Sequence, residues 1–405
     1  MSEKTELSPR LTRSVSLALH RSGLIRAWAL VPRPIRRRIA RRLLGNPFAG
    51  RAPGPGRAVP PFVFVGEAGS GTGFGWALRA SAEHLVAAGH DVRVVDVTDY
   101  VGHGRVAGPA AIAPADVPTG PGTLVLFCNP PQLAYLGSLL PRRALDGKHV
   151  VASCAWELER IPTAWRLPLG GVDEVWVPSA FVRDAFLAGS DRPVTVVPYP
   201  IEPPPGLKAD RAAFRIPADR FVVLVAANLR SGLARKNLTG AIDAFRLAFG
   251  DRGNELLVVK VSDGRKNASA LAAIQAAIGG APNIVVLDRS LGDHEMWQLV
   301  AASDAVLSLH RSEGYGIVLK QGLLLGKHVI ATGWSGNVDF MEGSLAHPVA
   351  YDLVSVSDPG GVFAAEIAQR WAEPRIADAA RLLRACRAGG AGLTAVRQQR
   401  AGAAP

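Results

Sequence analysis

One stretch of the chain, HRSEGYGIVLKQGLLLGKHVIATGWSGNVDFM from His310, combines an acid, two glycines and a helix start directly after a run of aliphatic residues. Glu313 stands at the end of that predicted strand. Gly314 and Gly316 permit a tight turn and a close approach of the backbone to a ligand. A helix beginning near Ile317 would aim its free N–H groups at an anion. The pattern predicts a binding site for a diphosphate, and the alternative is a purely structural strand-to-helix turn.

A basic segment, NLRSGLARKNLTG from Asn228, follows the first predicted strand of the same half of the chain. Guanidinium and ammonium groups bind and stabilise negative charge, such as that of phosphate groups. We expect Lys236 to serve in this way together with Arg230 or Arg235, and the spacing does not decide between the two arginines. The alternative is a solvated cluster of charges at a helix start.

A glycine-rich turn, GEAGSGTGFGWALR from Gly66, follows the first predicted strand of the chain. The strict GxGxxG spacing of a dinucleotide site fails, because Phe74 or Trp76 stands where the last glycine belongs, although Asp96 lies at a plausible distance for a ribose contact. The turn also lacks the GK(S/T) ending of a phosphate-binding loop. An NAD(P)-dependent oxidoreductase is therefore the least favoured interpretation.

The segment CAWELERIPTAW, from Cys154, places Trp156 and Glu157 just after another predicted strand. Residues at such a strand end can contact a ligand. Equally, the tryptophan can belong to the core and the glutamate to an ion pair. Both interpretations stay open.

The sequence carries little that predicts a metal. It contains no Asp-x-Asp pair, and its three cysteines, Cys128, Cys154 and Cys386, form no CxxC pair. We therefore expect no metal cofactor, no structural zinc and no disulfide framework. Together with the lack of a secretory signal, this predicts a reducing cytoplasm.

The elements that must position these residues are β-branched runs alternating with helical patterns, which is typical of parallel sheets built from βαβ units. The strand candidates of the first series are 62–65, 92–97, 124–127, 150–153, 174–177 and 194–197, and those of the second are 221–227, 256–261, 284–287, 305–309 and 329–332. A proline-rich stretch at 198–206 is expected to connect two domains, 58–200 and 207–360. Since ligands bind outside the carboxyl ends of parallel strands, the residues just described are the functional candidates.

The flanks of the chain differ from its middle. The net charge is +12, and much of the excess lies in a predicted basic amphipathic arm at 1–57. Arg36, Arg37, Arg38, Arg41 and Arg42 lie off its apolar stripe and are candidates to bind an anionic membrane surface, with a solvated or docked arm as the alternative. No pattern favours nucleic acid. At the other end, the segment from Trp371 predicts a helix within 361–390 that packs back across the domains, followed by a disordered tail at 391–405.

These segments together resemble glycosyltransferase family 4, retaining enzymes whose usual pattern is SEG(F/Y)G, a second Glu eight positions on, GKPVIAT and a Ser-Gly-Asn turn. The WEL, DEVWVPS and WAEP segments extend the resemblance over most of 60–386. The resemblance implies a donor-sugar contact for Glu313 and a diphosphate contact for Lys236. It also implies ribose binding at position 321, where Gln321 replaces the second glutamate. The further positions that it implies are Gly314, Tyr315, Gly316 and Asn237 beside the donor, and Gly73, Gly75, Arg79, Trp156 and Glu157 around the acceptor and cleft.

By this resemblance the fold is α/β, of the GT-B type, with two Rossmann-like doubly wound domains facing a cleft. The implied activity is metal-independent, retaining transfer of a hexosyl group from a nucleotide-diphosphate sugar to a glycan or polyprenyl-linked acceptor in polysaccharide biosynthesis. The enzyme would work in the cytoplasm or as a peripheral protein at the inner face of the membrane. The alternative, motivated by Gln321, is a nucleotide- or glycan-binding pseudoenzyme of the same fold.

Overall fold

The structure is a computed structural model, and it describes residues 46–101, 105–359, 363 and 368–389. These residues divide into two compact units. The first runs to Trp156 and resumes over Arg160–Pro200, and the second contains Glu157–Glu159 and everything from Ile201 onward. The division after Pro200 lies inside the proline-rich stretch at 198–206. The predicted basic arginines of 36–42 and the predicted tail at 391–405 lie outside the described residues.

The described part of the first unit is built on a parallel sheet in the order β2-β1-β3-β4-β5-β6. Its strands are β1 Phe62–Gly66, β2 Val92–Asp96, β3 Gly122–Phe127, β4 Lys148–Ser153, β5 Glu174–Val177 and β6 Val194–Val196. Its helices are α1 Gly73–Ala87, α2 Thr98–Val101, α3 Pro130–Leu139, α4 Arg166–Leu169 and α5 Ala180–Leu187. β1, β3 and β4 are buried along their whole length, which explains the apolar runs within them, although β4 begins with Lys148 and His149.

The predicted arm at 1–57 reaches into this unit. Phe48 is buried, and its ring packs so closely on Gly137 and Gly171 that it leaves no room for a Cβ on either glycine. Arg51 bonds the Asp173 carboxylate and the carbonyl of Lys148. Residues 46–57 are therefore part of the first unit.

The described part of the second unit has a parallel sheet in the order β12-β11-β10-β7-β8-β9 and a separate antiparallel pair of strands, β13 and β14. Its strands are β7 Val222–Asn228, β8 Leu256–Ser262, β9 Ile284–Asp288, β10 Ala305–Ser308, β11 His328–Thr332, β12 Ala346–Val349, β13 Tyr351–Ser355 and β14 Arg370–Pro374. Its helices are α6 Leu233–Lys236, α7 Leu238–Phe249, α8 Ala268–Ile278, α9 Asp293–Ala302, α10 Ile317–Leu324 and α11 Ile376–Ala388.

The structure corrects the interpretation of the segment from Trp371. The predicted helix begins only at Ile376, because the residues before it pair with β13 as the strand β14. α11 then packs on α7, and its buried side chains Ala379, Leu382 and Leu383 join the core of the second unit. Packing of this helix across the domains stays a prediction.

No helix in the described ranges combines the length and the apolar character that crossing a bilayer requires.

Candidate functional site

The second sheet reverses its direction of growth between β7 and β10. From β7 the chain adds β8 and β9 on one side, and it then returns to place β10, β11 and β12 on the other. Loops that follow two such neighbouring strands diverge and leave a crevice outside their carboxyl ends, where ligands of doubly wound sheets bind. The short helix α6, in the connection after β7, carries Arg235 and Lys236, and the loop after β10 carries Glu313.

Four charged side chains meet at this reversal point, and we call them the charged cluster: Glu157, Arg235, Lys236 and Glu313. The Lys236 ammonium contacts Oε1 of Glu313, and Nη1 of Arg235 lies 3.4 Å from Oε2 of the same carboxylate. Nη2 of Arg235 lies 3.6 Å from Oε1 of Glu157. The side chains of Arg235 and Glu313 are only 4% and 12% exposed, so little water screens their charges.

Backbone hydrogen bonds hold the two loops together. Arg311 donates its N–H to the carbonyl of Arg235 at 2.8 Å, and the Arg235 guanidinium donates to the carbonyl of Ser312 at 2.8 Å. Asn237 ends α6 in the left-handed conformation, and its side chain caps α7. Arg235 and Lys236 are thus fixed on a short, capped helix rather than on a free loop.

The strand that the sequence analysis missed supports the same site. The guanidinium of Arg311 bonds the carboxylate of Glu373 on β14, and the N–H of Ala372 bonds the carbonyl of Arg311. β14 therefore holds the loop that carries Glu313 in place.

The backbone of Glu313 is fixed from the Ser-Gly-Asn turn. Its N–H donates to Oγ of Ser335 at 2.8 Å, and its carbonyl accepts from the N–H of Gly336 at 2.9 Å. Ser335 has a φ of +76°, a left-handed conformation that a serine adopts only when its surroundings hold it there.

Behind Glu313 lies a buried histidine that the sequence analysis did not select. Nε2 of His310 lies 3.0 Å from Oδ1 of Asn337, whose amide nitrogen donates to the carbonyl of Thr332. The Asn337 oxygen is therefore the acceptor, and Nε2 of His310 carries the hydrogen. Burial lowers the pKa of His310 to about 4, so the ring is neutral at physiological pH. The only sequence signal for this support was the Ser-Gly-Asn turn itself.

The charges in the cluster perturb one another. Burial by itself raises the pKa of Glu313, but Lys236 and Arg235 outweigh it and hold the value at about 2. Burial lowers the pKa of Lys236, and Glu313 opposes that change. At neutral pH, Glu313 is consequently an ionised acceptor and not a proton donor.

α10 begins directly after this loop. Gly316, with a φ of +97°, precedes its first turn, and no described side chain caps that end. The N–H groups of a first helical turn lack intrahelical partners and attract anions. Tyr315 is buried against Phe340. Gln321, one turn into the helix, is 1% exposed, and its Oε1 finds no hydrogen-bond donor among the described residues.

The first sheet reverses between β1 and β3, and the glycine-rich turn follows β1. Arg79 is buried there and donates to the carbonyls of Ala68 and Ser70 at 2.7 and 2.8 Å, so it holds the turn rather than presenting its charge. Gly75 lies tightly packed in the first turn of α1, whereas a side chain on Gly73 would meet nothing within 4 Å.

Asp96, the ribose candidate of the oxidoreductase interpretation, is already engaged. Its carboxylate accepts from the N–H groups of Gly69 and Thr98 and pairs with Arg105. The geometry therefore does not favour a dinucleotide site.

The remaining candidates are placed as follows. Trp156 is 8% exposed, packs edge-to-face on Trp165 and donates its indole N–H to the carbonyl of Arg160. It belongs to the core, whereas Glu157 is the ion-pair partner of Arg235. Arg235 lies buried in the charged cluster, whereas Arg230 is exposed.

No protein-family model and no curated protein sequence matches this chain. Solved structures do. Anabaena Alr3699/HepE in complex with UDP and glucose is 15% identical with a TM-score of 0.56, over 84% of this chain and 95% of that one. The same protein with UDP is 16% identical with a TM-score of 0.54, over the same shares. Its UDP-glucose complex is 15% identical with a TM-score of 0.51, over 71% and 85%. The likeness establishes the fold, and the predicted two-domain α/β fold of the GT-B type is confirmed.

Proposed function

We propose that this protein is a retaining glycosyltransferase that moves a hexosyl group from a nucleotide-diphosphate sugar to a glycan or lipid-linked glycan. The observation that carries the proposal is the charged cluster at the reversal point of the second sheet. The buried Arg235, the partly exposed Lys236 and an ionised carboxylate lie there beside the uncapped start of α10. The likeness to a protein whose structures contain UDP and UDP-glucose supports testing uridine donors first.

The existing hydrogen bonds of Arg235 and Lys236 support different roles for the two side chains. Arg235 already donates to the carbonyls of Ser231 and Ser312 and pairs with both carboxylates. The Lys236 ammonium has three donors, of which one goes to Glu313, so the others are available to a phosphate oxygen. In our proposal Lys236 contacts the donor diphosphate. Arg235 holds Glu313 in place, and its positive charge makes the electrostatic potential at the diphosphate more favourable.

Glu313 then binds the sugar. An ionised carboxylate accepts hydrogen bonds from sugar hydroxyl groups, and a pKa of about 2 keeps it ionised throughout the physiological range. Its two cationic neighbours also make it a poor nucleophile. We therefore propose a front-face path, in which the leaving phosphate takes the acceptor proton and the protein contributes positioning and charge stabilisation.

The cations supply the charge stabilisation that a divalent metal supplies in other diphosphate sites, so we propose transfer that needs no metal. Gln321 would meet the ribose, where its amide can replace the bonds of a carboxylate but not its charge. Gly314, Gly316 and Asn237 complete the donor side. The acceptor is proposed to approach Gly73 and Gly75, with Arg79 acting through the shape of the turn.

Turnover tests this function directly. UDP-, GDP- and ADP-linked hexoses are incubated with the protein and a glycan acceptor mixture in excess chelator, and NMR follows donor loss and the configuration of the product. We expect one donor class to be consumed with its anomeric configuration retained. Lys236→Ala should lower kcat by about 10²–10³-fold. Arg246→Ala, which breaks an exposed ion pair with Asp251, is the matched control and should leave kcat unchanged.

A second candidate is the pseudoenzyme, which the replacement at Gln321 favours. In the same assay it predicts binding of a nucleoside diphosphate without loss of donor. Inverted product would remove the retaining assignment, and the absence of both binding and turnover would remove the nucleotide-sugar proposal as a whole.

We also propose that the basic arm brings the enzyme, as a cytoplasmic peripheral protein, to polyprenyl-linked acceptors at an anionic membrane surface. Since each cation near such a surface contributes about 1 kcal/mol, replacing Arg36, Arg37, Arg38, Arg41 and Arg42 with serine should abolish sedimentation with phosphatidylglycerol vesicles. Phosphatidylcholine vesicles are the control. Binding that survives the five substitutions would contradict this part of the proposal. Truncations should end before Asn46, because Phe48 is buried in the first unit.

A further inference from the structure

Away from the charged cluster, three side chains of the second unit bring metal-binding atoms together. One ligand atom each from His328, His347 and Cys386 lies within 4.8 Å of the other two. Nδ1 of His328 lies 3.1 Å from Nε2 of His347. Within the described ranges, this trio is the one group of His, Cys, Asp and Glu side chains that meets this criterion.

The fold brings these three side chains together. β11 and β12 are parallel neighbours, and their side chains alternate between the two faces of the sheet. His328 shares a face with Ile330, and His347 shares one with Val349, and both of these apolar residues belong to the core that α11 covers. Cys386, near the end of α11, belongs to the same core. The three residues therefore converge on one side of the sheet.

We propose that His328, His347 and Cys386 form a binding site for zinc. A tetrahedral zinc ion with bonds of about 2.0–2.1 Å to nitrogen separates its two nitrogen ligands by about 3.4 Å. The present separation of 3.1 Å is within a few tenths of that value. The sulfur of Cys386 lies within 4.8 Å of one nitrogen of each ring. Since a tetrahedral zinc places its sulfur and nitrogen ligands about 3.5 Å apart, the sulfur must approach each nitrogen by up to about 1.3 Å to complete the third bond.

The ligand chemistry fits a borderline-soft divalent cation. Imidazole nitrogen and thiolate sulfur are the usual zinc ligands, and three protein ligands leave the fourth tetrahedral position to a water. On binding, the S–H bond of Cys386 breaks, its proton passes to solvent, and the thiolate pair forms the bond to zinc. The one hydrogen between the two rings moves to the other nitrogen of the ring that carries it, so that both facing nitrogens offer a lone pair to the metal.

The zinc site is separate from the proposed transfer chemistry. His328 opens β11, whereas the charged cluster is supported from the other end of that strand, where Asn337 bonds the carbonyl of Thr332. Four strand steps of about 3.3 Å put roughly 13 Å between the two ends. A bound zinc would instead tie α11 to β11 and β12, three elements that the chain contributes from distant positions. The inference thus departs from the expectation of no structural zinc, which rested on cysteine spacing alone.

Cobalt replaces zinc in such sites and reports thiolate ligation by a charge-transfer absorption. The full chain is freed of metal with a chelator and titrated with Co²⁺, then with Zn²⁺. We expect one equivalent of cobalt, a thiolate-to-cobalt band, and displacement by zinc. Cys386→Ser should remove the band, and His328→Asn should weaken cobalt binding by more than about 100-fold, since even the loss of an outer partner of a ligand costs 10–100-fold.

Cys128→Ser is the matched control, because Cys128 is also a buried thiol but lies in the first unit, and it should keep the band. X-ray absorption of the zinc-loaded wild-type chain provides a measurement that needs no variant, with one sulfur and two imidazole nitrogens expected. A band that survives Cys386→Ser, a wild-type chain without a band, or a zinc shell without sulfur would each overturn the proposal.

Discussion

The two sheets place very different chemistry at their reversal points. In the first unit, the Arg79 guanidinium is buried and bonds backbone carbonyls, so its charge serves the glycine-rich turn. In the second unit, Arg235 and Lys236 face the carboxylate of Glu313, and a ligand can compete for the ammonium. The difference indicates that one unit offers a shaped, close-packed backbone and the other an electrostatic site. In the proposed reaction these suit an acceptor and a charged donor.

The largest effect should come from breaking the charged cluster itself. Glu313→Ala leaves Lys236 without its carboxylate and the buried Arg235 with Glu157 alone, which should lower the free energy of unfolding by about 3–5 kcal/mol. Urea denaturation measures this. The double variant with Lys236→Ala should lose less than the sum of the two single variants, because the charges are removed as a pair. Strict additivity would show that the contact contributes nothing.

Acid should weaken the second unit through the same carboxylate. The pKa of Glu313 is about 2 in the folded chain and near 4.5 when unfolded, so the unfolded state binds the proton more readily. The resulting stabilisation, about 3 kcal/mol, is fully present above the unfolded pKa and is lost as the pH falls from about 5 to 2. Urea denaturation across this range should show a shallower acid dependence for Glu313→Gln. Identical pH profiles would contradict the assigned pKa.

Sequence was sufficient for much of this comparison. The β-branched runs marked the core strands, and the glycines and acid after 305–309 marked the loop of Glu313, because local patterns encode both. It was not sufficient to choose between Arg230 and Arg235. That choice depends on Glu157 and Ser312, which lie about 80 residues away in either direction and meet Arg235 only in the fold.

The errors have the same origin. Trp371 was assigned to a helix because the pairing that makes it part of a strand, with β13, exists only in the fold. His328, His347 and Cys386 were missed because β pairing and helix packing, not sequence spacing, bring them together.

In the first unit, Arg79→Ala should destabilise the glycine-rich turn. Two buried carbonyls lose charged donors at 2.7 and 2.8 Å, which should cost about 2–3 kcal/mol and lower the melting temperature. The affinity for a nucleoside diphosphate should stay unchanged, since in our proposal Arg79 does not contact the nucleotide sugar. An Arg79→Ala variant that keeps normal stability but no longer binds nucleotide would contradict this structural role for Arg79.

The smallest predicted effects are changes in stability on replacing Gly73 or Gly75 with alanine, and the two replacements should differ. A Cβ on Gly75 would lie 2.5 Å from the carbonyl oxygen of Glu67 and from Oγ of Ser70, so Gly75→Ala should cost about 1–3 kcal/mol. Gly73→Ala, with nothing within 4 Å, is its control and should be neutral or stabilising by less than about 1 kcal/mol. Thermal unfolding distinguishes them, and equal costs would contradict the described packing of the turn.

Calorimetric titration with UDP, GDP and ADP tests the central claim most directly, on the wild type, Lys236→Ala and Gly73→Ala. Our account predicts that one of the three nucleotides binds the wild type and Gly73→Ala equally, and that Lys236→Ala weakens its binding by about 1.5–3 kcal/mol, the contribution of a charge-assisted hydrogen bond. If none of the nucleotides binds, or if a bound nucleotide has the same affinity for Lys236→Ala, the charged cluster is not the diphosphate site.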